Sequence, residues 1–151
     1  MLIWLVLACS DPEFGHLGQA LDAYDEGRAA LSTGAPMVAA EAFARAVAAD
    51  PGSYTLVAWE ARALRQAGQE GAALNRLNAG LKRFPDASVL RYDRAALRAV
   101  MGDITGASAD LRWLYANELV NPIAVGEDPD FVSLRTDATA RTLVPSAQVE
   151  A

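Results

Sequence analysis

Hydrophobic positions in this chain fall into short runs with helical spacing, and each run is ended by glycine or proline. One run in the middle of the chain contains Leu56, Val57, Ala63 and Leu64. A second contains Ala72, Ala73, Leu77 and Leu81. Gly68 separates the two runs, and Pro85 follows the second. Because apolar residues three or four positions apart share one face of a helix, this segment is predicted to form two helices joined by a turn.

The glycine between two hydrophobic runs recurs at a fixed interval, since Gly34, Gly68 and Gly102 stand 34 residues apart. Other positions with this spacing are Gly27, Ala61 and Ala95; Ala39, Ala73 and Ala107; Phe43, Leu77 and Leu111; and Pro51 and Pro85. The small residues allow two helices to approach closely, the large ones fill the space beside them, and the turn glycines tolerate the left-handed conformation that ends a helix. Three helical hairpins are therefore predicted, at residues 20–53, 54–87 and 88–121.

These columns resemble the tetratricopeptide repeat, a helical hairpin with small residues at its helix contact, a glycine at its turn and a proline after its second helix. The first unit matches at Gly27, Gly34, Ala39, Phe43, Ala46 and Pro51. The resemblance implies an all-α solenoid of three stacked hairpins, and such stacks need a cover at each end.

Several positions depart from the repeat pattern. Gly80 and Leu114 replace the alanine seen at Ala46, and Leu119 stands where a proline is usual. The second helix of the third unit is therefore predicted to continue toward Pro122. Glu26, Glu60 and Arg94 replace a large residue in the first helices.

The apolar segment 1–8 precedes Cys9 and is too short to span a bilayer, which takes about 20 residues. Val6-Leu7-Ala8-Cys9 resembles the signal of bacterial lipoproteins, although Leu7 is larger than usual and no Lys or Arg precedes the segment. The resemblance implies cleavage before Cys9, lipidation of its thiol, and an outer-membrane anchor facing the periplasm, because Ser10 follows the cysteine. The alternative is that Cys9 is merely a small apolar residue. Residues 9–19, with Pro12, Gly15 and His16, are predicted to form a tether.

Residues 122–151 are predicted to form a capping helix and a tail. Asp128 is a candidate N-cap with Pro129 in the first turn, and Phe131 and Leu134 would cover the third hairpin. From Val144 onward a frayed tail is expected. Glu127, Asp128 and Asp130 could also hold a hard cation, but a cap and a solvated turn are the favoured interpretation.

Composition argues against nucleic acid as a partner and against an enzyme. Thirteen basic and nineteen acidic residues give a formal charge of -6, and one cysteine cannot form an internal disulfide. The single histidine, His16, lies in the predicted tether, and the sequence shows no zinc-ligand set or phosphate loop. We expect no enzymatic activity, no cofactor and no metal.

The resemblance implies that the first helix of each unit lines a concave groove that binds extended peptides. The inward columns carried over by position are Tyr24, Arg28 and Leu31; Ala58, Arg62, Arg65 and Gln66; and Tyr92, Ala96 and Val100. The predicted peptide contacts among them are Tyr24, Arg28, Arg62, Arg65, Gln66 and Tyr92. Trp59 and Trp113 are expected to pack between helices.

Two of these columns repeat their chemistry, since Tyr24 matches Tyr92 and Arg28 matches Arg62. Guanidinium groups bind carboxylates with two hydrogen bonds, so an acidic segment or a free C-terminus is the expected ligand. The alternative is that the arginines pair with Asp25, Glu26 or Glu60.

Two functions are compatible with this sequence. The first is a membrane-tethered adaptor that binds a peptide or partner protein in its groove. The second is an assembly or pilotin-type lipoprotein of an envelope or secretion complex that acts through its convex face or its cap. Fold resemblance alone does not choose between them.

Overall fold

A computed structural model describes residues 12–145, and this part of the chain is helical without any strand. The α-helices are α1 (Pro12–Ser32), α2 (Pro36–Ala49), α3 (Tyr54–Gln66), α4 (Glu70–Arg83), α5 (Ser88–Val100), α6 (Ile104–Ala116), α7 (Pro122–Glu127) and α8 (Val132–Thr136). Two single 3₁₀ turns, Pro129–Phe131 and Arg141–Leu143, complete the described chain. The predicted all-α class is confirmed. The chain forms two compact units that divide within α4, between Ala73 and Leu74.

The turn glycines adopt the left-handed conformation that the sequence predicts. Gly34, Gly68 and Gly102 have φ angles of 74°, 72° and 82°. In each case the next residue's N–H bonds back to a carbonyl five residues earlier, as Ala35 does to Ala30 at 2.9 Å. A side chain is strained at this φ, so glycine is the residue best suited to each turn.

The helix α6 ends at Ala116, and the predicted continuation toward Pro122 is wrong. Glu118 takes a φ of 55°, and Leu119 N–H bonds to the Leu114 carbonyl at 3.0 Å, which repeats the hydrogen bond found at the turn glycines. The chain thus uses the same turn a fourth time with a glutamate in the left-handed position. A new helix, α7, then begins at Pro122 with Asn121 as its N-cap.

The first unit is built on close contact between α1 and α2. Phe43 is fully buried, and a Cβ atom on Gly27 would lie 2.6 Å from its ring. Ala39 and Ala46 are also fully buried. The prediction that small residues let these two helices approach while Phe43 fills the space is confirmed for this hairpin.

The tether predicted for residues 9–19 is wrong from Pro12 onward, because those residues belong to α1. Proline suits the first turn of a helix, where its missing N–H costs nothing. Further along the same helix Ala20 and Ala23 are buried, and Ala23 packs with Ala46 and Leu56. Apolar burial on one face therefore continues the helix through a segment whose glycines suggested a linker. Cys9 and the segment 1–8 lie outside the described residues.

In the second unit the residues after α7 pack against α5 and α6, where the sequence predicts a capping helix. Phe131 and Leu134 are fully buried in one core with Ala95, Ala99, Leu111 and Leu114. Asp128 caps the turn that follows it by accepting from Asp130 N–H at 2.9 Å. Ser133 donates to the Ala99 carbonyl at 2.9 Å, which fastens α8 to α5.

The frayed tail predicted from Val144 starts later than expected. Val144 is buried in the same core as Phe131, and the Tyr115 hydroxyl donates to the Leu143 carbonyl at 2.6 Å. A Cβ atom on Gly126 would meet the Pro145 carbonyl, so glycine is required for this close approach. The residues after Pro145 lie outside the described part.

Candidate peptide-binding site

Three aromatic rings meet in the first unit, where α1, α2 and α3 pack together. Trp59 lies 5.7 Å from Phe43 in a stacked arrangement and 6.0 Å from Tyr24 edge to face, measured between ring centroids. Phe43 is buried, whereas Tyr24 and Trp59 are partly exposed. Trp59 therefore packs between helices, as expected, but also presents part of its indole to the surface.

Two arginines from different helices lie over this indole. The guanidinium carbon of Arg28 is 5.0 Å from the Trp59 ring centroid, and that of Arg62 is 5.8 Å away. Arg28 also donates to the Tyr24 hydroxyl at 2.9 Å. Cation–π contact and a hydrogen bond hold both guanidinium groups near one ring, although they carry like charge. We call Tyr24, Arg28, Trp59 and Arg62 the arginine–indole cluster.

The structure argues against one of the ion pairs considered for these arginines, the pair with Glu26. Glu26 forms its ion pair with Arg45 of α2. Glu26 lies half a helical turn away from Arg28, so the two side chains leave α1 in nearly opposite directions. The hydrogen bond from Arg28 to Tyr24 and its contact with Trp59 fix its guanidinium on the other side of α1.

The remaining predicted contacts of the first unit differ in exposure. Arg65 is partly exposed and Gln66 is exposed at the C-terminal end of α3. Ala58 is buried, and Leu31 packs against the core that contains Phe43. Ala58 is therefore a packing residue, and the predicted contacts that reach the surface are Tyr24, Arg28, Arg62, Arg65 and Gln66.

Tyr92 belongs to the cap of the second unit. Its hydroxyl donates to Asp128 at 2.6 Å, and its ring meets Phe131 edge to face with centroids 5.6 Å apart. Burial and the adjacent Asp128 carboxylate raise the pKa of Tyr92 well above its ordinary value. Asp128 thus uses one oxygen for Tyr92 and the other for the helix cap, as the cap interpretation expects. Of the other predicted inward positions in this unit, Ala96 is buried and Val100 is exposed.

An apolar groove that the sequence analysis missed adjoins the arginine–indole cluster. It has a volume of about 260 Å³ and is lined by Leu17, Ala20, Leu21, Tyr24, Asp50, Ser53, Thr55 and Leu56. Leu17 and Leu21 are 58% and 63% exposed, which is high for leucine. The spacing of Leu17, Leu21, Tyr24 and Arg28 places them on one stripe of α1 and was the signal available in the sequence. We call this cavity the leucine groove.

The second unit contains a different cationic cluster, also missed by the sequence analysis. Arg91, Arg94 and Arg98 of α5 all reach the carboxylate of Asp110, whose side chain is 3% exposed. Arg94 binds it through two hydrogen bonds of 2.6 and 2.9 Å, and Arg98 adds one of 2.8 Å. The Arg91 guanidinium carbon stacks 3.8 Å from the centroid of Trp113. This cluster joins α5 to α6, because its arginines belong to α5 and Asp110 and Trp113 belong to α6.

His16 lies on α1, where it lines a polar groove with Asp22, Glu26 and Arg45. Among residues 12–145 no group of three or more His, Cys, Asp or Glu side chains is arranged to hold a metal ion. No helix in this range is both long and apolar enough to cross a membrane.

Comparison with protein-family models, with curated proteins and with solved structures finds no match to this chain in any of the three.

Proposed function

We propose that the chain is a three-hairpin member of the tetratricopeptide-repeat type that binds a peptide or partner protein without transforming it. The 34-residue spacing of Gly34, Gly68 and Gly102, together with their shared left-handed turns, supports this assignment. The helices α3 and α5 begin at Tyr54 and Ser88, which are the first residues of the second and third predicted repeats.

The arginine–indole cluster is the observation that carries the binding proposal. Two guanidinium groups from α1 and α3 lie near one partly exposed indole, so a carboxylate placed there could accept hydrogen bonds from both. Aromatic side chains and arginine are the residue types that contribute most to the free energy of protein association. The proposed ligand is an acidic segment of another protein.

The overall charge of -6 does not oppose this local preference. Interactions between exposed charges are screened over about 8 Å at physiological ionic strength, so the arginines in contact with the ligand outweigh distant carboxylates. On α1 itself, Asp22 and Glu26 line the polar groove beside Arg45. Asp25, three residues before Arg28, is the exposed carboxylate of this helix with which an acidic ligand would compete.

Capture of partners by crosslinking from native membranes, followed by mass spectrometry, tests the proposal. We expect Arg28→Glu combined with Arg62→Glu to abolish capture of the partner, because the cluster would then repel an acidic segment. Capture by the wild type should also weaken as salt is raised.

Lys82→Glu combined with Arg112→Glu provides the charge-matched control, since both side chains are exposed and lie on α4 and α6. The milder pair Arg28→Gln and Arg62→Gln, checked by circular dichroism, guards against misfolding of the reversed variant. Equal capture by the folded cluster variants and the wild type would contradict the proposal.

The second candidate is an assembly or pilotin-type role through the convex face or the cap. The exposed Val132 of α8 and Ile123 of α7, 58% and 62% exposed, favour it because they place apolar side chains on the surface near the cap. Val132→Ser with Ile123→Ser should abolish capture under this alternative and leave it unchanged under the first proposal.

We also propose that Cys9 is lipidated and holds the chain at the outer membrane on its periplasmic side. Two or three acyl chains, each contributing about 0.8 kcal/mol per buried methylene, anchor a protein stably. Cys9→Ala should release the protein from membranes, and mass spectrometry of the wild type should show an acylated Cys9. Equal fractionation of variant and wild type would contradict the anchor.

A further inference from the structure

We infer that the leucine groove is a socket for one bulky apolar side chain, and that it acts together with the arginine–indole cluster to select a linear segment. In that segment an apolar residue and an acidic residue stand about three positions apart. The inference rests on the proposed function and adds to it a sequence pattern that the ligand should contain.

The size and lining of the leucine groove point to a side chain rather than a whole small molecule. Its volume of about 260 Å³ lies below the range of about 300–1,000 Å³ that is usual for drug-sized ligands. Leu17 and Leu21 flank it from α1, and Leu56 from α3. Covering the exposed Leu17 and Leu21 with an apolar side chain removes their surface from water, which is the main source of affinity available here.

The groove and the arginines are connected through one residue. Tyr24 lines the groove, and its hydroxyl accepts the hydrogen bond from Arg28. An apolar side chain in the groove and a carboxylate on Arg28 would therefore lie on opposite sides of the same tyrosine. One short peptide can reach both positions.

The spacing follows from helix and strand geometry. Leu21 and Arg28 are seven residues apart on α1, which corresponds to about 10 Å along the helix axis at 1.5 Å per residue. An extended peptide advances about 3.3 Å per residue, so it covers this distance in about three residues.

Charge at the far end of the groove gives the ligand a direction. Asp50 follows α2, which runs back along α1, so its carboxylate lines the groove at the end away from Arg28. An acidic residue is thus favoured on the arginine side of the apolar residue and disfavoured on the other side.

The second unit provides a natural comparison. Ser88, Val89 and Tyr92 line a cavity of about 180 Å³, and they stand 68 residues after Ala20, Leu21 and Tyr24. In that unit the position equivalent to Arg28 is the buried Ala96, and Tyr92 is bound to Asp128. The apolar cavity therefore recurs, whereas its combination with a cation at the Arg28 position belongs to the first unit.

Fluorescence anisotropy with labelled eight-residue peptides tests the inference on the full chain. The reference peptide is Gly-Ser-Leu-Ser-Ser-Asp-Gly-Ser, which places leucine and aspartate three positions apart. Matched peptides replace leucine by serine, replace aspartate by asparagine, or move the aspartate to one or five positions from the leucine. We expect the reference peptide to bind at least about tenfold tighter than the serine peptide, because it buries a leucine side chain.

Variants of the protein separate the two parts of the site. Leu17→Ser with Leu21→Ser should remove the advantage of the leucine peptide and leave weak binding of the serine peptide unchanged. Val38→Ser with Met101→Ser is the matched control, because these apolar side chains are also exposed, by 57% and 48%, and lie outside both proposed surfaces. Circular dichroism confirms that each variant is folded.

The possible failures are distinguishable. Binding that depends on Arg28 and Arg62 but is unaffected by leucine, or by the spacing, overturns the inference and leaves the proposed function in place. If no peptide binds at concentrations up to about 1 mM, both the inference and the proposed function are overturned.

Discussion

At the residue scale, glycine at position 27 decides how closely α1 and α2 approach. The Phe43 ring occupies the space where a Cβ atom would be, at 2.6 Å. Gly27→Ala is expected to destabilise the protein by about 1–3 kcal/mol, the usual cost of overpacking a core. Urea denaturation measures the change.

Gly71→Ala in α4 is the control for this substitution, because its Cβ atom would meet nothing within 4 Å. Alanine is the better helix former by about 1 kcal/mol, so this variant should be as stable as the wild type or more stable. Equal stability of the Gly27→Ala variant and the wild type would show that the helices can separate without cost.

Asp110 is the other residue on which a large effect is expected. Its side chain is 3% exposed and neutralises three guanidinium groups that are 15–21% exposed. Asp110→Ala would leave these cations close together without their acceptor, and we expect a loss of about 3–5 kcal/mol in the free energy of unfolding. Urea denaturation is again the measurement.

Asp103→Ala is the control that separates the loss of the buried Asp110 carboxylate from the loss of any carboxylate near these arginines. The Asp103 side chain is 52% exposed, and it contacts Arg98 at 3.5 Å. It also caps α6 by accepting from Gly106 N–H. A loss of about 1 kcal/mol is expected there. If both variants lost the same amount, the buried carboxylate would have no special role.

At the element scale, the end of α6 shows a turn made with a residue that does not favour it. Glu118 has a φ of 55°, whereas the equivalent turns use glycine. Glu118→Gly should stabilise the protein by about 1 kcal/mol, since the left-handed conformation costs a side-chain residue about 1–2 kcal/mol. Thermal unfolding followed by circular dichroism measures this change.

Gly102→Ala tests the same turn in the opposite direction. Its Cβ atom would have open space, so only the φ of 82° opposes the substitution. A loss of about 1 kcal/mol is expected. A destabilised Glu118→Gly variant would mean that the glutamate side chain contributes more than its backbone conformation costs.

The helix ends also show what the sequence could and could not predict. The turns at Gly34, Gly68 and Gly102 could be predicted, because glycine is the residue that such a turn prefers. Glu118 gives no comparable signal, which is why the end of α6 was misplaced. The start of α1 was missed because glycines within a helix look like a linker until the buried Ala20 and Ala23 are seen against α2.

For the whole molecule, stability at alkaline pH depends on the partly buried tyrosines of the second unit. Burial raises the pKa of Tyr115 to about 12, above the value of about 10 expected in the unfolded chain. The stabilising contribution is complete below pH 10 and is lost as the pH rises from 10 through 12. Tyr115→Phe should therefore lose less stability than the wild type across this range.

Urea unfolding at a series of pH values measures this difference. Tyr54→Phe is the control, because Tyr54 is 45% exposed. Parallel pH profiles for the wild type and the Tyr115→Phe variant would exclude a role for the Tyr115 hydroxyl.

The candidate site was predictable only in part at the scale of the molecule. The repeat columns led to Tyr24, Arg28 and Arg62, because the resemblance assigns the first helices to a groove. They did not lead to the leucine groove, since Leu17 fell within the presumed linker. They also placed Tyr92 with Tyr24, although the Tyr92 hydroxyl donates to Asp128, which follows α7.

The early start of α1 determines how far the site could stand from a lipid anchor. Pro12 stands three positions after Cys9, and Leu17 stands five positions further along the helix. Even a fully extended connection of three residues adds only about 10 Å, and the helical part adds about 8 Å. With an acylated Cys9 the Leu17 end of the leucine groove would stay within about 20 Å of the headgroups, and Arg28, eleven residues further along α1, within about 35 Å. The site could then bind only proteins that expose a suitable segment close to the membrane surface.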